Sequence, residues 1–364
     1  MTNMAFSLNT VFSSFKKASV AQPVSVVGVD FGTSSIKVVE LELVEEVISL
    51  KTYGELQLGP YGDAEMGSSI KLPTQKRTEA LVDVLRESEI SAKNAVFSIP
   101  LSNSFITIVS LAAKKDEDIA PRVNVEARKY IPVPITDVAL EWTELEPIAG
   151  QPPLTREVLL AAIQNETLVE VRKVLSSVQM AESPLEIEVF STIRAVTKSS
   201  DTSLAVIDIG ADISKLYITE SGLLRRLHRV HTGGSSATKT MTQKFRLSFE
   251  DAENLKRNYT PEISNASEIK KIMSNTFERS LQEFKRVIDQ YELRTGAPIE
   301  RIVLSGGTAL FPDFVAYVSY VFDREVVLTN AFSKVAYPAF MEDTLKSISP
   351  VFTVALGAAL RQFE

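Results

Sequence analysis

The sequence predicts an α/β protein built from two similar halves, and three observations carry that prediction. A pattern of strand-like run, Asp, apolar residue, Gly, two or three small or polar residues and a second strand-like run begins at Val24 and again at Leu204. Between the two copies, helix and strand alternate on a smaller scale, as an inserted α+β subdomain would. After the second copy, a long amphipathic helix leads to a further strand that runs into Ser305-Gly306-Gly307-Thr308. At 364 residues, 45% hydrophobic and 23% charged, the chain is long enough for roughly two domains and has the composition to fill their cores.

Taken in order, the first copy reads "VSVVGVDFGTSSIKVVELEL", where Val39, Leu41 and Leu43 alternate with Glu40 and Glu42 as a half-buried strand requires. Residues 94–100 form a strand closed by Pro100. Residues 104–112 read as strand and 116–130 as a helix broken near Pro121, while Pro132 and Pro134 keep "IPVPI" an extended turn. A strand around 139–145, a linker at 149–153, a strand at 157–163 and a helix over 166–180 complete the insertion. The chain then returns to the first half through "PLEIEVFSTIRAV". The second copy turns at Ser221-Gly222 into a third strand. Residues 267–295 place Ile269, Ile272, Met273, Phe277, Leu281, Phe284, Ile288 and Tyr291 on one helical face, ended by Gly296. A short strand at 300–304 follows, then a helix carrying Phe311, Phe314, Val315 and Val318, and "FTVALGAALRQF" reads as a closing helix of small residues. The expected division is a leader at 1–23, a first core at 24–103 and 181–202, an insertion at 104–180, a second core at 203–240 and 297–364, and a helical subdomain at 241–296.

Composition removes several classes of function. A net charge of −7 argues against a general grip on nucleic acid, which needs basic stripes to displace counterions. The absence of cysteine excludes disulfides, thiolate zinc sites and a cysteine nucleophile, and suits a reducing cytoplasm. The two histidines, His228 and His231, share one segment with no second ligand cluster nearby and read as hairpin residues, not as a metal site. No uninterrupted apolar run approaches the roughly twenty residues that cross a bilayer. Residues 1–23 carry Lys16 and Lys17 with Phe6, Leu8, Val11, Phe12 and Phe15 at helical spacing. They read as a leader, with a segment resting on a membrane surface or a partner as the alternative.

The chemistry lies in the turns. A strand ending in Asp-x-Gly followed by small hydroxylic residues suits phosphate, because glycine lets successive N–H groups converge on an anion and Thr33, Ser34 and Ser35 add donors. Lys37 on the outgoing strand can reach back toward phosphate charge. Asp30 and Asp208 would repel a bare phosphate; their presence makes sense if they orient Mg²⁺ through its waters. The strand and Gly-Gly bend at Ser305 let a flat ring or sugar approach the backbone closely. In "DAENLKRNY", Glu253 and Lys256 lie three apart on one helical face, either as a ribose-and-base clamp or as an ordinary intrahelical ion pair.

Together, Asp30-Phe31-Gly32-Thr33, Asp208-Ile209-Gly210-Ala211, Ala252-Glu253-x-x-Lys256 and Ser305-Gly306-Gly307-Thr308 resemble the actin, sugar-kinase and heat-shock-chaperone ATPase superfamily over nearly the whole chain. Within it, "GVDFGTSSIKVVEL", "EARKYIPVPITDVAL", "LAVIDIGADISKLYI", "HTGGSSATKTM" and "FTVALGAALRQ" resemble the FtsA-like PilM family of type IV pilus assembly. The Lys-Tyr-Ile-Pro-x-Pro turn at 129–134 is the most family-specific of these.

The resemblance implies an actin-like ATPase fold of two α/β halves, with an FtsA-like insertion in the first and a helical subdomain in the second. It implies ATP with Mg²⁺ in the cleft. Gly32, Thr33, Ser34 and Lys37 would face the phosphates from one side and Gly210, Ala211 and Asp212 from the other, with Asp30 and Asp208 orienting the metal. Glu253 and Lys256 would hold ribose and base, and Gly306, Gly307 and Thr308 would close over the adenosine. Gly233 and Gly234 would add backbone donors near the phosphates. As partners it implies the short cytoplasmic N-terminus of the inner-membrane protein PilN, docked near 104–145, together with pilus motor ATPases and self-association, at the cytoplasmic face of the inner membrane and without nucleic acid. No spacing identifies a water-positioning base, so slow hydrolysis and a purely switching nucleotide both stay open. Two other readings remain: a filament scaffold like FtsA or MreB, whose usual terminal membrane helix is not expected after Glu364, and a small-molecule kinase.

Overall fold

The computed structural model describes residues 25–114, 116–147, 154–180, 185–198 and 203–364. The expected leader at 1–23 and linker at 149–153 lie outside the described residues. The first half opens with β1 (Ser25–Phe31), β2 (Ser35–Val44) and β3 (Val47–Gln57), followed by α1 (Thr74–Glu87) and β4 (Asn94–Ile99). The insertion supplies β5 (Ser104–Ala112), α2 (Ala120–Ala127), β6 (Val138–Leu145), β7 (Thr155–Gln164) and α3 (Asn165–Ser177). β8 (Leu185–Ile187) and α4 (Glu188–Val196) return to the first half. The second half comprises β9 (Ser203–Ile209), β10 (Ser214–Glu220), β11 (Leu223–Val230), α5 (Gly234–Phe245), α6 (Phe249–Arg257), α7 (Ala266–Thr295), β12 (Arg301–Ser305), α8 (Phe314–Phe322), β13 (Val326–Leu328) and α9 (Glu342–Leu360).

The duplication is visible in the sheets. One runs β3-β2-β1-β4-β8 and the other β11-β10-β9-β12-β13, so each takes its strands in the order third, second, first, fourth, fifth. In both, the first three strands are antiparallel and the last two join parallel, through β1–β4 and β4–β8 in one and β9–β12 and β12–β13 in the other. Asp30 pairs with Lys37, and Asp208 pairs with Lys215, at equivalent positions beside the two turns. The insertion forms its own three-stranded antiparallel sheet, β5-β7-β6. Its inner face, with Leu159, Ala161 and Ile163, joins the core of the first half, which continues to Leu204, Val206 and Leu224 of the second.

Local differences from the sequence reading have physical causes. Pro121 does not break a helix; it sits in the first turn of α2, where its missing N–H costs nothing. The closing helix starts at Glu342, ten residues earlier than the small-residue run suggested, and carries Pro350 in its interior. Its carbonyl accepts the Gly306 N–H at 2.9 Å, which ties α9 to the bend after β12. α9 also crosses β1 at Gly28, where a Cβ would stand 2.0 Å from the Ala355 carbonyl oxygen, so only glycine permits the approach. Phe311 lies outside α8, between a short 3-10 turn and the helix start.

Candidate functional site

The turns after β1 and β9 face each other across a cavity of about 380 Å³. Asp30, Gly32, Thr33, Ser34 and Lys37 line one side; Asp208, Gly210, Ala211, Asp212 and Gly234 line the other. Glu253 and Lys256 of α6 and Gly306, Gly307 and Thr308 after β12 complete the wall, so five separate stretches of sequence converge. Gly306 holds φ +87°, and a Cβ there would meet the Ile209 carbonyl oxygen at 2.3 Å; the left-handed bend is what brings β12 against the second turn.

Gly233 departs from the expectation. It caps the N-terminus of α5 and does not line the cavity. The neighbouring donors are already used, because the N–H groups of Gly234 and Ser235 bond to the carbonyls of Gly210 and Ala211 at 3.0 and 2.8 Å. The glycine pair therefore fastens α5 to the second turn and leaves those two amides no free proton for a ligand.

The charges at the cavity floor form one cluster. The Lys215 ammonium, buried on β10, donates to Glu188 Oε2 at 2.7 Å and Asp208 Oδ2 at 3.0 Å. Those two carboxylates push its pKa well above the usual lysine value against the effect of burial. Asp30 lies 3.9 Å from Lys37, whose ammonium donates to Ser35 Oγ at 2.8 Å. Burial raises the Asp30 carboxyl to about 6; Lys37 and Lys215 oppose the rise, while Glu188 and Asp208 add to it. Glu188 was not foreseen. It starts α4, and its second oxygen accepts the Leu101 N–H at 2.6 Å, in the short turn that leads from β4 into β5.

At the other end, Lys256 donates to Glu253 Oε2 at 2.6 Å and to Thr238 Oγ1 at 2.8 Å, and Thr238 in turn donates to Glu253 at 2.6 Å. This is the intrahelical pair, but buried and turned to the cavity instead of solvated. Lys256 and Thr238 hold the Glu253 carboxyl below its usual range, and burial lowers the Lys256 ammonium. Met273, Leu310 and Phe311 supply apolar lining, with the Phe311 ring packed at a tilt on Tyr259, centroids 4.7 Å apart. A strap from the first half crosses to this end: Ser69 donates to Asp212, and Glu65 Oε2 accepts the Glu250 N–H at 2.7 Å at the start of α6. Elsewhere, His228 on β11 pairs with Glu283 of α7 at 2.6 Å, away from the cavity.

No described helix is long and apolar enough to cross a membrane. Among proteins of known sequence, the chain is similar to the cell division protein FtsA of Enterococcus faecalis (strain ATCC 700802 / V583), with 23% identity over 382 residues, covering 87% of this chain and 84% of that protein. Among solved structures it resembles a PilM-PilN type IV pilus biogenesis complex, with a TM-score of 0.78 and 22% identity over 93% of this chain and 98% of the other. It also resembles the ethanolamine utilization protein EutJ from Carboxydothermus hydrogenoformans, with a TM-score of 0.56 and 17% identity over 93% and 90% of the two chains. The fold is that of the actin-like ATPases. Residues 28–363 match the family model of the type IV pilus assembly protein PilM, and the chain belongs to that family.

Proposed function

We propose that this protein binds ATP in the cavity and docks a short cytoplasmic peptide of a PilN-type inner-membrane protein on its insertion, near residues 104–145. The observation that carries the nucleotide half is the convergence of two Asp-x-Gly turns, the Glu253–Lys256 pair and the Gly306-Gly307 bend on one cavity. Gly32, Thr33, Ser34 and Lys37 would take the phosphates from the first half, and Gly210, Ala211 and Asp212 from the second. Glu253 would accept the ribose hydroxyls, Lys256 would lie against the base, and Gly306, Gly307 and Thr308 would cover the adenosine. Met273 and Phe311 would give the base an apolar wall.

The acid set fits Mg²⁺. Asp30, Asp208 and Glu188 all line the cavity, and burial, with Glu188 and Asp208 adding to it, raises the Asp30 carboxyl, which a bound cation would bring back down. Bound there through water, Mg²⁺ would neutralise phosphate charge. Asp208 already shares Lys215 with Glu188, so the chain itself neutralises the second carboxylate. Membership of the PilM family and likeness to a PilM-PilN complex support the peptide partner, and with it a place at the cytoplasmic face of the inner membrane. The subdomain division given above is part of the same reading, as are contacts with pilus motor ATPases and self-association.

Calorimetry of a synthetic PilN-type N-terminal peptide, titrated with and without ATP·Mg²⁺, tests both halves. Peptide binding whose affinity changes with nucleotide, and a reciprocal change in nucleotide affinity, is expected. A peptide that binds in neither condition would remove the pilus-assembly role while leaving the nucleotide site to be judged by its own titration.

A further inference from the structure

Away from the cavity, the insertion meets the second half through a buried polar junction. Glu157 of β7 is 2% exposed and faces three guanidinium groups: Arg294 Nη1 at 3.2 Å from the end of α7, and Arg226 Nη2 at 3.9 Å and Arg225 Nη1 at 4.0 Å from β11. Glu220 approaches Arg225 Nε at 3.5 Å and accepts from the Tyr291 hydroxyl at 3.3 Å, so three cations meet two carboxylates. The junction is incompletely made. Glu157 Oε2 and the Nε and Nη1 of Arg225 are buried with no hydrogen-bond partner among the described residues. Buried groups left in that condition are costly, and a movement of about 1 Å would bring Glu157 and Arg225 within the usual charge-assisted distance.

Elsewhere the insertion packs by apolar contact, through Leu159, Ala161 and Ile163, into a core that holds residues of the first half and also Leu204, Val206 and Leu224 of the second, so the polar junction is the charged part of a larger seam. We infer that the Glu157–arginine junction is a latch that ties the insertion, and with it the first half, to the second half and sets how far the cleft opens. The inference rests on the nucleotide reading for its functional consequence. None of the four residues lines the cavity, so their effect on nucleotide would come through the position of the halves.

The chain has no cysteine, so spin-label pairs are readily introduced. Labels at Ser110→Cys on the insertion and Lys239→Cys on α5, both exposed positions, report the distance across the junction by pulsed electron resonance. Without nucleotide, the parent pair should give one narrow distance; adding Glu157→Gln, or Arg294→Ala at a partly exposed position that spares the core, should broaden it toward longer separations. ATP·Mg²⁺ should return the variants to the parent distance, and nucleotide should leave them several-fold faster in stopped flow. Distances and dissociation rates that match the parent in both variants would overturn the latch. If ATP does not bind, the nucleotide reading fails, and the broadening measured without ligand still decides whether the latch exists.

Discussion

Asp30→Asn should make the folded protein more stable at neutral pH while weakening its grip on nucleotide. The carboxyl is buried, its side chain 13% exposed, and its pKa rises from an ordinary 3.8 to about 6. The sign follows from linkage. Between those two values the folded chain binds more protons than the unfolded one, so stability falls as pH rises through this window and the cost is complete above it. A shift of about two units at 1.36 kcal/mol each amounts to roughly 3 kcal/mol, held in the charged form of one residue. Asparagine keeps the shape without the charge. The nearest cation, Lys37 at 3.9 Å, keeps its bond to Ser35 and its approach to Glu55 at 4.0 Å, so little offsets the gain. Urea denaturation followed by circular dichroism at pH 7.5 and pH 4, at fixed ionic strength, should show the variant ahead by up to about 3 kcal/mol at the higher pH and level with the parent at the lower. A variant that is less stable at pH 7.5, or whose advantage persists at pH 4, would refute the account of Asp30. Calorimetry with ATP·Mg²⁺ should show the matching loss of affinity.

Three further outcomes follow from the same geometry. Lys215→Met leaves Glu188 and Asp208 buried without their shared cation and should cost about 3–5 kcal/mol in denaturation experiments, part of it recovered by adding Glu188→Gln. Gly28→Ala would drive a methyl into the backbone of α9 and should cost about 1–3 kcal/mol or more, read from the same unfolding curves. Gly306→Ala forces a side chain into a left-handed residue against Ile209, with a cost of at least about 1–2 kcal/mol, and should weaken adenosine nucleotides in a titration; unchanged affinity would remove the bend from the site.

Much of this was legible because the turns announce themselves. Asp-x-Gly and Gly-Gly are short-range signals, and each fixes its own backbone whatever surrounds it. The long helix was legible for the same reason: its face from Ile269 to Tyr291 repeats at helical spacing and is buried as that spacing requires. Glu188 and Lys215 were not, because what matters about them is each other. Lys215 does leave a trace, as a charge near the start of a strand that reads as buried, where only a facing counter-ion can keep it. The counter-ion comes from α4, a stretch that reads simply as the way back to the first half. Pro121 and Pro350 show the opposite limit. A proline marks a boundary only if its missing donor was needed, and one falls in a first helical turn while the other lies in a helix held by β1, β2 and α4.

That last helix carries a consequence for how the chain is made. Val26, Val39, Leu41 and Val96 of the first sheet are covered by Phe352, Ala355, Leu356 and Ala359 of α9. A ribosome delivers the sheet first and its cover only after the whole second half. Until residue 360 has left the exit tunnel, that face of the N-terminal sheet has only Ala195 and the stretch around Phe332 to lie against, and contacts of such long sequence separation form late. The core under the first sheet is therefore completed only when the far end of the chain has been made.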